Sequence, residues 1–353
     1  MQIIQNSYSL KFITHAIDKY FTENTLFFDI ECTGLSPRKS FIYLIGYATR
    51  KDKEVIITQL LASNESEEIE LLDYFENVIG DYDNLLGFNS TRFDESFIIE
   101  RCRKYKLSTS IKSKNHIDMY LTTTKAKCLL DLPNYKQKTI EQYLGLDRED
   151  KYNGGELIPV YLHYSISRDV QSKELILLHN LEDIKGMVFA CDILSYSDLL
   201  NSDITFNNSV EEGDRLLCTF NLPFALPKSI NKRRDYGLYI IKDDIISLYL
   251  NTVHSSLYTF LPDCKNYYYL LNENIIIPKS IGGSVDKSNR RPATKRDCKV
   301  ELTSDFIQLP EKLDIGTKIK LFKSDYDSKE AFIQPDDLSP AIATKILKYM
   351  FKH

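Results

Sequence analysis

Several features that would identify common classes of protein are missing from this sequence of 353 residues. Tryptophan is absent, and no apolar run reaches the roughly 20 residues that a membrane helix needs, so we expect no membrane span. The first residues, MQIIQNSYSLKF, lack the basic start and the apolar core of a secretory signal. We therefore expect neither a membrane protein nor a secreted one, and the scattered cysteines, interpreted as reduced thiols, predict a cytoplasmic protein.

Cysteine pairs, excess basic charge and a phosphate loop are missing as well. The seven cysteines include no CxxC pair, so neither a zinc site nor a disulfide framework is indicated. The net charge of −5 lacks the basic excess of proteins that coat nucleic acid. An acidic protein can still act on nucleic acid if bound cations neutralise its carboxylates. The segment KSIGGSVDK does not have the P-loop spacing.

The first 200 residues alternate between strand-like and helix-like patterns. TLFFDIEC, FIYLIGYATR, EVIITQLL, NLLGFN and NHIDMY are short runs typical of strands. The segments 67–79, 96–105 and 172–196 have helical periodicity, and the last is the longest predicted helix. This order predicts an α/β domain over residues 1–200, with a five-stranded sheet covered by helices on both faces.

The remaining residues have a different character. The segment 201–214, NSDITFNNSVEEGD, is polar and is predicted to be a linker or an edge loop. Short β-like runs follow it, and a helix is predicted from about residue 340 to residue 352. We therefore expect a smaller β-rich C-terminal domain over residues 201–353.

Two acids stand close together in the first strand, in the segment FFDIECTGL. Side chains two residues apart in a strand share a face, so Asp29 and Glu31 point the same way. Neighbouring carboxylates repel each other, and a hard cation such as Mg²⁺ or Mn²⁺ would relieve the repulsion. The alternative is a pair of solvated acids at a strand end.

Two later segments add polar residues of the same kind. GFNSTRFDESFI places Asp94 at a helix start, where a carboxylate either caps the helix or faces a metal-bound water. In HNLEDIKGM, His179 and Asp183 share one helical face, either paired with each other or acting as ligands. Asp118, at the end of the strand predicted in NHIDMY, is expected to cap a helix or to support a metal ligand, with direct metal ligation as the alternative. Glu182 is predicted to be solvated.

A strand with D-x-E, a helix opened by F-D and a late helix with H-x-x-x-D occur here in that order. The set resembles the three exonuclease motifs of the DEDD superfamily, within the ribonuclease H-like group. TIEQYLGLDREDKYNGGELIPVYLHY, followed by HNLEDI, is similar to predicted bacterial nucleases of the YprB type. The resemblance covers roughly residues 22–197 and implies a ribonuclease H-like mixed sheet with flanking helices.

The resemblance also implies a role for five residues. Asp29 would bridge two metal ions, and Glu31 would bind one of them and help to orient the attacking water. Asp183 would complete the site of the metal that activates this water, and Asp94 would hold the second metal, directly or through water. His179 would be the general base or would orient it. Proofreading relatives have His five residues, or Tyr four residues, before the last Asp, whereas His here stands four residues before it.

A basic segment follows three consecutive tyrosines in the C-terminal half. Its cations are Lys279, Lys287, Arg290, Arg291, Lys295, Arg296 and Lys299. Basic side chains can follow phosphates while aromatic rings stack on bases. Either Arg290, Arg291 and Arg296 contact single-stranded nucleic acid, or the segment is a solvated loop. Asn89 likewise either fixes its own loop or contacts substrate.

Together these features predict a 3′–5′ exonuclease that hydrolyses single-stranded DNA or RNA with two Mg²⁺ or Mn²⁺ ions. A structure-selective endonuclease on the same fold is one alternative, since a fold does not fix the mode of cutting. A non-catalytic nucleic-acid-binding protein is another, although the complete set of four carboxylates argues against it. The sequence does not identify protein partners.

Overall fold

The computed structural model describes residues 1–150, 152, 154–316 and 319–352. It divides into two compact units, Met1–Asn201 with Leu226–Lys228, and Ser202–Ala225 with Ser229–His353. Two residues of the YprB-like stretch, at positions 151 and 153, lie outside the described residues. Among the described helices, none combines the length and the apolar character that crossing a membrane requires.

The described residues of the first unit form six strands and eight helices. The strands are β1 (Gln2–Ser9), β2 (Thr25–Cys32), β3 (Ile42–Lys51), β4 (Glu54–Leu61), β5 (Asn84–Gly87) and β6 (Asn115–Asp118). The helices are α1 (His15–Tyr20), α2 (Glu68–Gly80), α3 (Asp94–Tyr105), α4 (Met119–Lys125), α5 (Gln137–Leu144), α6 (Gly154–Ser167), α7 (Val170–Ala190) and α8 (Leu194–Leu199). The predicted α/β class is confirmed.

The six strands form one mixed sheet in the order β1-β4-β3-β2-β5-β6. The pairs β1–β4, β4–β3 and β3–β2 are antiparallel, whereas β2–β5 and β5–β6 are parallel. The predicted number of five strands is wrong, because β1 adds a sixth at the edge. An edge strand with alternating exposed residues buries little apolar surface, so its sequence gives a weak signal.

One face of the sheet packs against α2 and α3. Phe28 and Ile30 of β2 belong to this core, and the Phe28 ring lies 5.7 Å from that of Phe75 in α2. Because strand side chains alternate between faces, Asp29 and Glu31 point to the other face, on which α7 lies. The apolar alternation of β2 thus determines which face receives the two acids.

A buried ion pair joins α2 to α3. Arg101 of α3 donates through Nε to Glu68 Oε1 over 2.7 Å, and a second guanidinium nitrogen also donates to Glu68. Glu68 further accepts from the Ile42 N–H over 2.8 Å and from the Tyr105 hydroxyl over 2.7 Å. A buried pair is stable only when such extra hydrogen bonds satisfy both partners. The pair fixes α3, whose first residue is Asp94.

Gly46 of β3 determines how closely α7 approaches the opposite face. A Cβ atom at Gly46 would lie 2.1 Å from Asn180 Oδ1 and 2.9 Å from Ile184 Cγ1. Asn180 is buried, and its Oδ1 accepts from Gln59 Nε2 over 3.1 Å. Gly46 pairs with Asp29 on β2 and with Gln59 on β4. Helix α7 therefore meets the sheet at the row that contains Asp29.

We expect Gly46→Ala to lower the free energy of unfolding by about 1–3 kcal/mol, the usual cost of adding a methyl group to a packed site. Urea denaturation measures the change. Gly80→Ala is the matched control, because a Cβ atom at this helical position meets nothing within 4 Å. This control should be neutral, or stabilising by up to about 1 kcal/mol. Equal effects of the two variants would contradict the proposed close packing.

The described residues of the second unit are mostly strands. They are β7 (Thr205–Glu212), β8 (Arg215–Asn221), β9 (Ile230–Arg234), β10 (Gly237–Lys242), β11 (Ile245–Phe260), β12 (Tyr267–Leu270), β13 (Ile275–Pro278), β14 (Arg290–Pro292), β15 (Lys299–Gln308) and β16 (Phe332–Ile333). Two helices accompany them, α9 (Lys279–Gly282) and α10 (Pro340–Lys352). The predicted β-rich character and the closing helix are confirmed.

These strands form two sheets. A seven-stranded sheet has the path β16-β15-β11-β10-β9, with β8 paired to β11 and β7 paired to β8, and a three-stranded sheet has the order β13-β12-β14. Most of the segment 201–214, predicted to be a linker or an edge loop, is strand β7. The prediction failed because β7 is an exposed edge strand, whose polar side chains resemble those of a loop.

Candidate active site

Three carboxylates of the first unit come together near the carboxyl ends of its parallel strands. Asp29 and Glu31 lie near the end of β2, and Asp94 follows the adjacent strand β5 as the first residue of α3. Asp94 Oδ1 accepts the backbone N–H of Ile30 over 3.3 Å, so it lies directly beside the D-x-E segment. The structure thus brings together two predicted groups that are 63 or more residues apart in sequence.

Helix α7 adds His179 and Asp183 from above the sheet. His179 Nε2 lies 3.4 Å from Glu31 Oε1 and 3.2 Å from Asp183 Oδ2. One ligand atom from each of these three side chains lies within 4.8 Å of the other two. On the same helix, Asn180 Nδ2 donates to Asp29 Oδ2 over 3.2 Å. All five predicted site residues therefore belong to one cluster.

Burial and mutual repulsion oppose the ionisation of the carboxyl groups in this cluster. Burial raises the pKa of Asp29 well above its ordinary value, and the charges of Asp94, Asp183 and Glu31 raise it further. Burial also raises the pKa of Glu31, reinforced by Asp183 and Asp94. Burial raises the pKa of Asp94 to about 7, against the lowering effect of the N–H of Ile30. A bound cation would relieve this repulsion.

The donor atoms fit a hard divalent cation. Carboxylate oxygens are the ligands that Mg²⁺ and Mn²⁺ prefer, and Glu31 and Asp183 each offer one within 4.8 Å of the other and of a His179 ring nitrogen. Asp29 and Asp94 add further carboxylates whose charges act on the same group. This combination of oxygen donors and mutual repulsion is what a cation site requires.

Asp150 binds His179 on the edge of the ring that points away from the cluster. The sequence did not predict this residue as part of the site. The Nδ1 atom of His179 lies 2.8 Å from Asp150 Oδ2, and both side chains are buried. Burial opposes the charge on Asp150, but hydrogen bonds from His179 and from the N–H of Tyr152 bring its pKa below the ordinary value. A carboxylate at Nδ1 places the proton there and leaves Nε2 facing Glu31 and Asp183.

The loop that carries Asp150 is fixed by α7. The carboxylate of Glu182 accepts the backbone N–H of Glu149 over 3.0 Å and that of Asp150 over 2.7 Å. Lys138 Nζ lies 3.3 Å from Asp150 Oδ2. The prediction that Glu182 is solvated is wrong, because its carboxylate binds N–H groups about 30 residues away, a pairing that helical periodicity does not report.

Arg148 fixes the carboxylate of Asp183, and the sequence did not single it out either. Its guanidinium donates to Glu141, with Nη2 lying 2.6 Å from Oε1, and through Nη1 to Asp183 Oδ1. Burial opposes the charge on Arg148, but these carboxylates raise its pKa above the usual range. A Cβ atom at Gly186 would lie 2.0 Å from Glu141 Oε1, so glycine leaves room for the pair. Asp183 keeps its Oδ2 facing His179.

The missed residues carry weak sequence signals. Arg148 and Asp150 stand in the polar run DRED, whose composition suits a surface loop. Asn180 offers a better signal, since an amide beside His179 on a partly apolar helical face needs a partner. The partners themselves follow only from the packing of α7 on the sheet.

Asn89 lies in the loop between β5 and α3, and Asp118 lies at the end of the adjacent strand β6, directly before α4. Asn89 has a left-handed backbone, with φ 59°, which Asn adopts more readily than most residues. Its N–H donates to Asp118 Oδ1 over 3.1 Å, and the same oxygen accepts the N–H of Leu121 at the start of α4. The predicted cap role of Asp118 is confirmed. The contacts of Asn89 support the loop-fixing alternative, and a substrate contact stays a proposal.

Two of the three predicted nucleic-acid contacts lie on the three-stranded sheet of the second unit. The Arg290 guanidinium lies 4.5 Å from the ring centroid of Tyr268 and donates to the carbonyl of Gly282. The Arg291 guanidinium lies 4.4 Å from the ring centroid of Tyr269. The basic segment thus contacts the tyrosines that precede it, and a cation already covers the rings of Tyr268 and Tyr269.

Ion pairs occupy the charges of two of these arginines. Arg291 binds Asp297 with both terminal nitrogens, at 2.5 and 2.8 Å. Arg296 pairs with Asp327, in an exposed position. Such partners compete with any phosphate that approaches, so these arginines remain proposed contacts.

The sequence matches one protein-family model, and the structure is similar to several solved structures. Residues 26–193 match the family model RNase_H_2, described as the RNase_H superfamily. The fold of the first unit is ribonuclease H-like. The match lies within this ribonuclease H-like unit and includes all five predicted site residues. No curated protein matches the chain.

Solved structures show similarity at low identity. The family B DNA polymerase from the hyperthermophilic archaeon Pyrobaculum calidifontis is 12% identical, with a TM-score of 0.40, over 70% of this chain and 38% of the polymerase. A structure of exonuclease I is 10% identical, with a TM-score of 0.33, over 62% of this chain and 55% of that chain. An ExoI/SSB-Ct complex is 10% identical, with a TM-score of 0.34, over 79% and 65%. This chain thus matches less than two thirds of each of these proteins.

The repulsion within the cluster leads to a stability prediction. A carboxylate whose pKa is raised by folding destabilises the metal-free folded state above that raised pKa, and the penalty disappears below the ordinary value. We therefore expect Asp29→Asn to raise the melting temperature at neutral pH in EDTA. One pKa unit corresponds to about 1.4 kcal/mol, and thus to a shift of roughly 3–5 °C.

Thermal denaturation followed by circular dichroism measures this shift. Asp147→Asn is the matched control, because Asp147 is an exposed acid near the same cluster, and we expect no shift for it. An equal or lower melting temperature for Asp29→Asn would show that the carboxylates do not strain the metal-free fold.

Proposed function

We propose that this chain is a metal-dependent nuclease that hydrolyses phosphodiester bonds of single-stranded DNA or RNA, as a 3′–5′ exonuclease. One observation carries the proposal: Asp29, Glu31, Asp94, His179 and Asp183 form one cluster in a ribonuclease H-like unit. A site built from buried carboxylates around an imidazole suits phosphoryl chemistry with cations.

The proposed cofactors are two Mg²⁺ or Mn²⁺ ions. Asp29, Glu31, Asp94 and Asp183 would hold them, and the donor chemistry and the raised pKa values of three of these acids support this assignment. When bound, such ions stabilise the charge that develops on the attacking and leaving oxygens. Neighbouring side chains orient these ligands. Asn180 donates a hydrogen bond to Asp29, and the guanidinium of Arg148 donates one to Asp183.

His179 is the proposed proton acceptor. With the proton on Nδ1 directed at Asp150, the Nε2 lone pair faces Glu31 and Asp183 and can take a proton from an attacking water. The spacing of four residues to Asp183 keeps both groups on one face of α7. The orientation by Asp150 supports this role although the spacing departs from the proofreading pattern.

The same proposal includes the substrate and its setting. Arg290, Arg291, Arg296 and Asn89 are proposed contacts to single-stranded nucleic acid, with the tyrosine rings of β12 as a stacking surface. The proposed setting is the cytoplasm, in which the seven cysteines would remain the free thiols seen in the structure.

The first experiment measures cleavage of end-labelled linear and circular single-stranded DNA and RNA with Mg²⁺, Mn²⁺ or EDTA. We expect metal-dependent shortening of linear substrates from the 3′ end. Asp29→Asn and Glu31→Gln should each lose at least about 100-fold in rate, since charge stabilisation of several kcal/mol is removed. Asp147→Asn should cleave like the parent chain.

The circular substrates separate the two modes of cutting. Cleavage of circles would replace the exonuclease proposal with an endonuclease, and the same carboxylates would still be required. Binding without cleavage of any substrate, in every metal condition, would leave a non-catalytic nucleic-acid-binding protein.

Asp150 provides a second test, because its carboxylate binds the Nδ1 atom of His179 over 2.8 Å and is not one of the proposed metal ligands. We expect Asp150→Ala to lower kcat by about 10–100-fold with little change in KM, as removal of an orienting partner does. Asp150→Asn should recover part of kcat, since its amide oxygen can still accept from Nδ1. A loss confined to KM, or the same loss in Asp147→Asn, would contradict the positioning role.

A further inference from the structure

A concave pocket of about 330 Å³ lies at one end of the seven-stranded sheet in the second unit. Three arginines line it, Arg215, Arg233 and Arg234, together with Asp235 and Asn251. We refer to it as the arginine pocket. Its residues all belong to the second unit, and none of them lies in the basic segment at 279–299.

The hydrogen-bonded register of four strands places these arginines together. Arg215 of β8 lies opposite Asn251 of β11, at the end of their pairing. Arg234 lies opposite Gly237 across the hairpin of β9 and β10. Asn251 Nδ2 donates to the carbonyl of Asp235 over 3.2 Å, which ties this hairpin to β11. All three arginines therefore belong to strands at one end of the sheet, Arg215 to β8 and the other two to β9.

Two of the guanidinium groups have unmet hydrogen-bonding capacity. The Nε atoms of Arg215 and Arg234 are buried and have no hydrogen-bond partner among the residues that the structure describes. Within those same residues, Arg215, Arg233 and Arg234 form no ion pair, and Arg234 Nη1 donates to the carbonyl of Arg233 over 2.9 Å. A buried N–H without a partner is costly, so an acceptor from outside the chain, either a ligand or a water molecule, would stabilise these donors.

The charge of the pocket indicates what that acceptor is. Three cations against the single carboxylate of Asp235 leave a net positive site, which favours an anion. The planar fork of a guanidinium matches the oxygens of a phosphate group, and several arginines around one anion are typical of phosphate recognition. The volume also lies within the range of small-ligand sites.

We propose that the arginine pocket binds a phosphate group, and that a backbone phosphate of the nucleic-acid substrate supplies it, an assignment that rests on the proposed function. The pocket has a stronger basis than Arg291 and Arg296, whose charges are occupied by Asp297 and Asp327. It adds to the nuclease a fixed point of contact with the sugar–phosphate chain.

The test uses the full chain in EDTA, so that binding is measured without cleavage. Isothermal titration calorimetry measures inorganic phosphate, and fluorescence anisotropy measures a labelled single-stranded DNA over a series of salt concentrations. We expect Arg215→Gln and Arg234→Gln each to weaken both by roughly tenfold or more, because hydrogen bonds to a charged ligand are lost. The salt dependence should fall by about 0.7 in slope for each contact removed.

Lys242→Gln is the matched control, since Lys242 is an exposed cation at the far end of β10. It should bind both probes like the parent chain. Arg215→Lys and Arg234→Lys keep the charge but lose the fork, and we expect them to fall between the parent and the Gln variants. If a Gln variant fails to fold, the Lys variants give the same comparison.

Three results would overturn the proposal or part of it. Unchanged binding of both probes by the arginine variants would show that the pocket is not a phosphate site. Weaker binding of inorganic phosphate with unchanged DNA binding would assign the site to a free phosphate and not to substrate. An equal loss of binding in Lys242→Gln would show that binding depends on the net charge of the protein and not on the arginine pocket. If the parent chain binds phosphate in this pocket but cleaves no substrate, the phosphate site is supported and only the proposed nuclease activity is contradicted.

Discussion

Repulsion between carboxylates in a confined space is the constraint on which the first unit depends. Asp29, Glu31 and Asp94 meet where β2 and β5 end, and Asp183 faces them from α7. Burial alone raises the pKa of each of the first three, and proximity adds to it. Evolution tends to keep such strain only where function uses it, and a cation site is the physical situation in which these charges become favourable.

The rest of the site serves to orient those acids without neutralising all of them. Asn180, Arg148 and the N–H of Ile30 each take one carboxylate oxygen. Asp150 does the equivalent for the imidazole of His179 by binding its Nδ1 atom. For Asp183 and His179 the opposite edge of the group faces the cluster, since Asp183 Oδ2 lies 3.2 Å from His179 Nε2. Orientation by surrounding hydrogen bonds is the usual way in which proteins prepare ligands before a metal binds.

The second unit contains clusters of arginines, whereas the first unit contains a cluster of carboxylates. In the three-stranded sheet of the second unit, cations whose charges are partly paired cover tyrosine rings. In the arginine pocket, two buried donors have no partner in the part of the chain that the structure describes. Composition cannot separate the two, because an arginine in an ion pair and an arginine awaiting an anion look alike in sequence. The difference arises from the tertiary structure: turns bring Asp297 to Arg291 and Asp327 to Arg296, whereas the register of β8 and β11 brings Arg215 to the end of the sheet.

The sequence by itself determined the α/β class of the first unit and the β-rich class of the second, and it predicted all five residues of the acidic cluster. Periodicity suffices for the classes and for the pairs Asp29–Glu31 and His179–Asp183, because side-chain positions along one strand or one helix depend only on local geometry. The grouping of all five residues came from the resemblance to the DEDD motifs. Only the tertiary structure revealed the sixth strand, the partners Asp150 and Arg148, and the arginine pocket. These depend on which elements pack together: Gly46 admits α7 to the row of Asp29, and hydrogen-bonded register brings Arg215 to Arg234. Contacts between distant segments are set by packing, which no local pattern encodes.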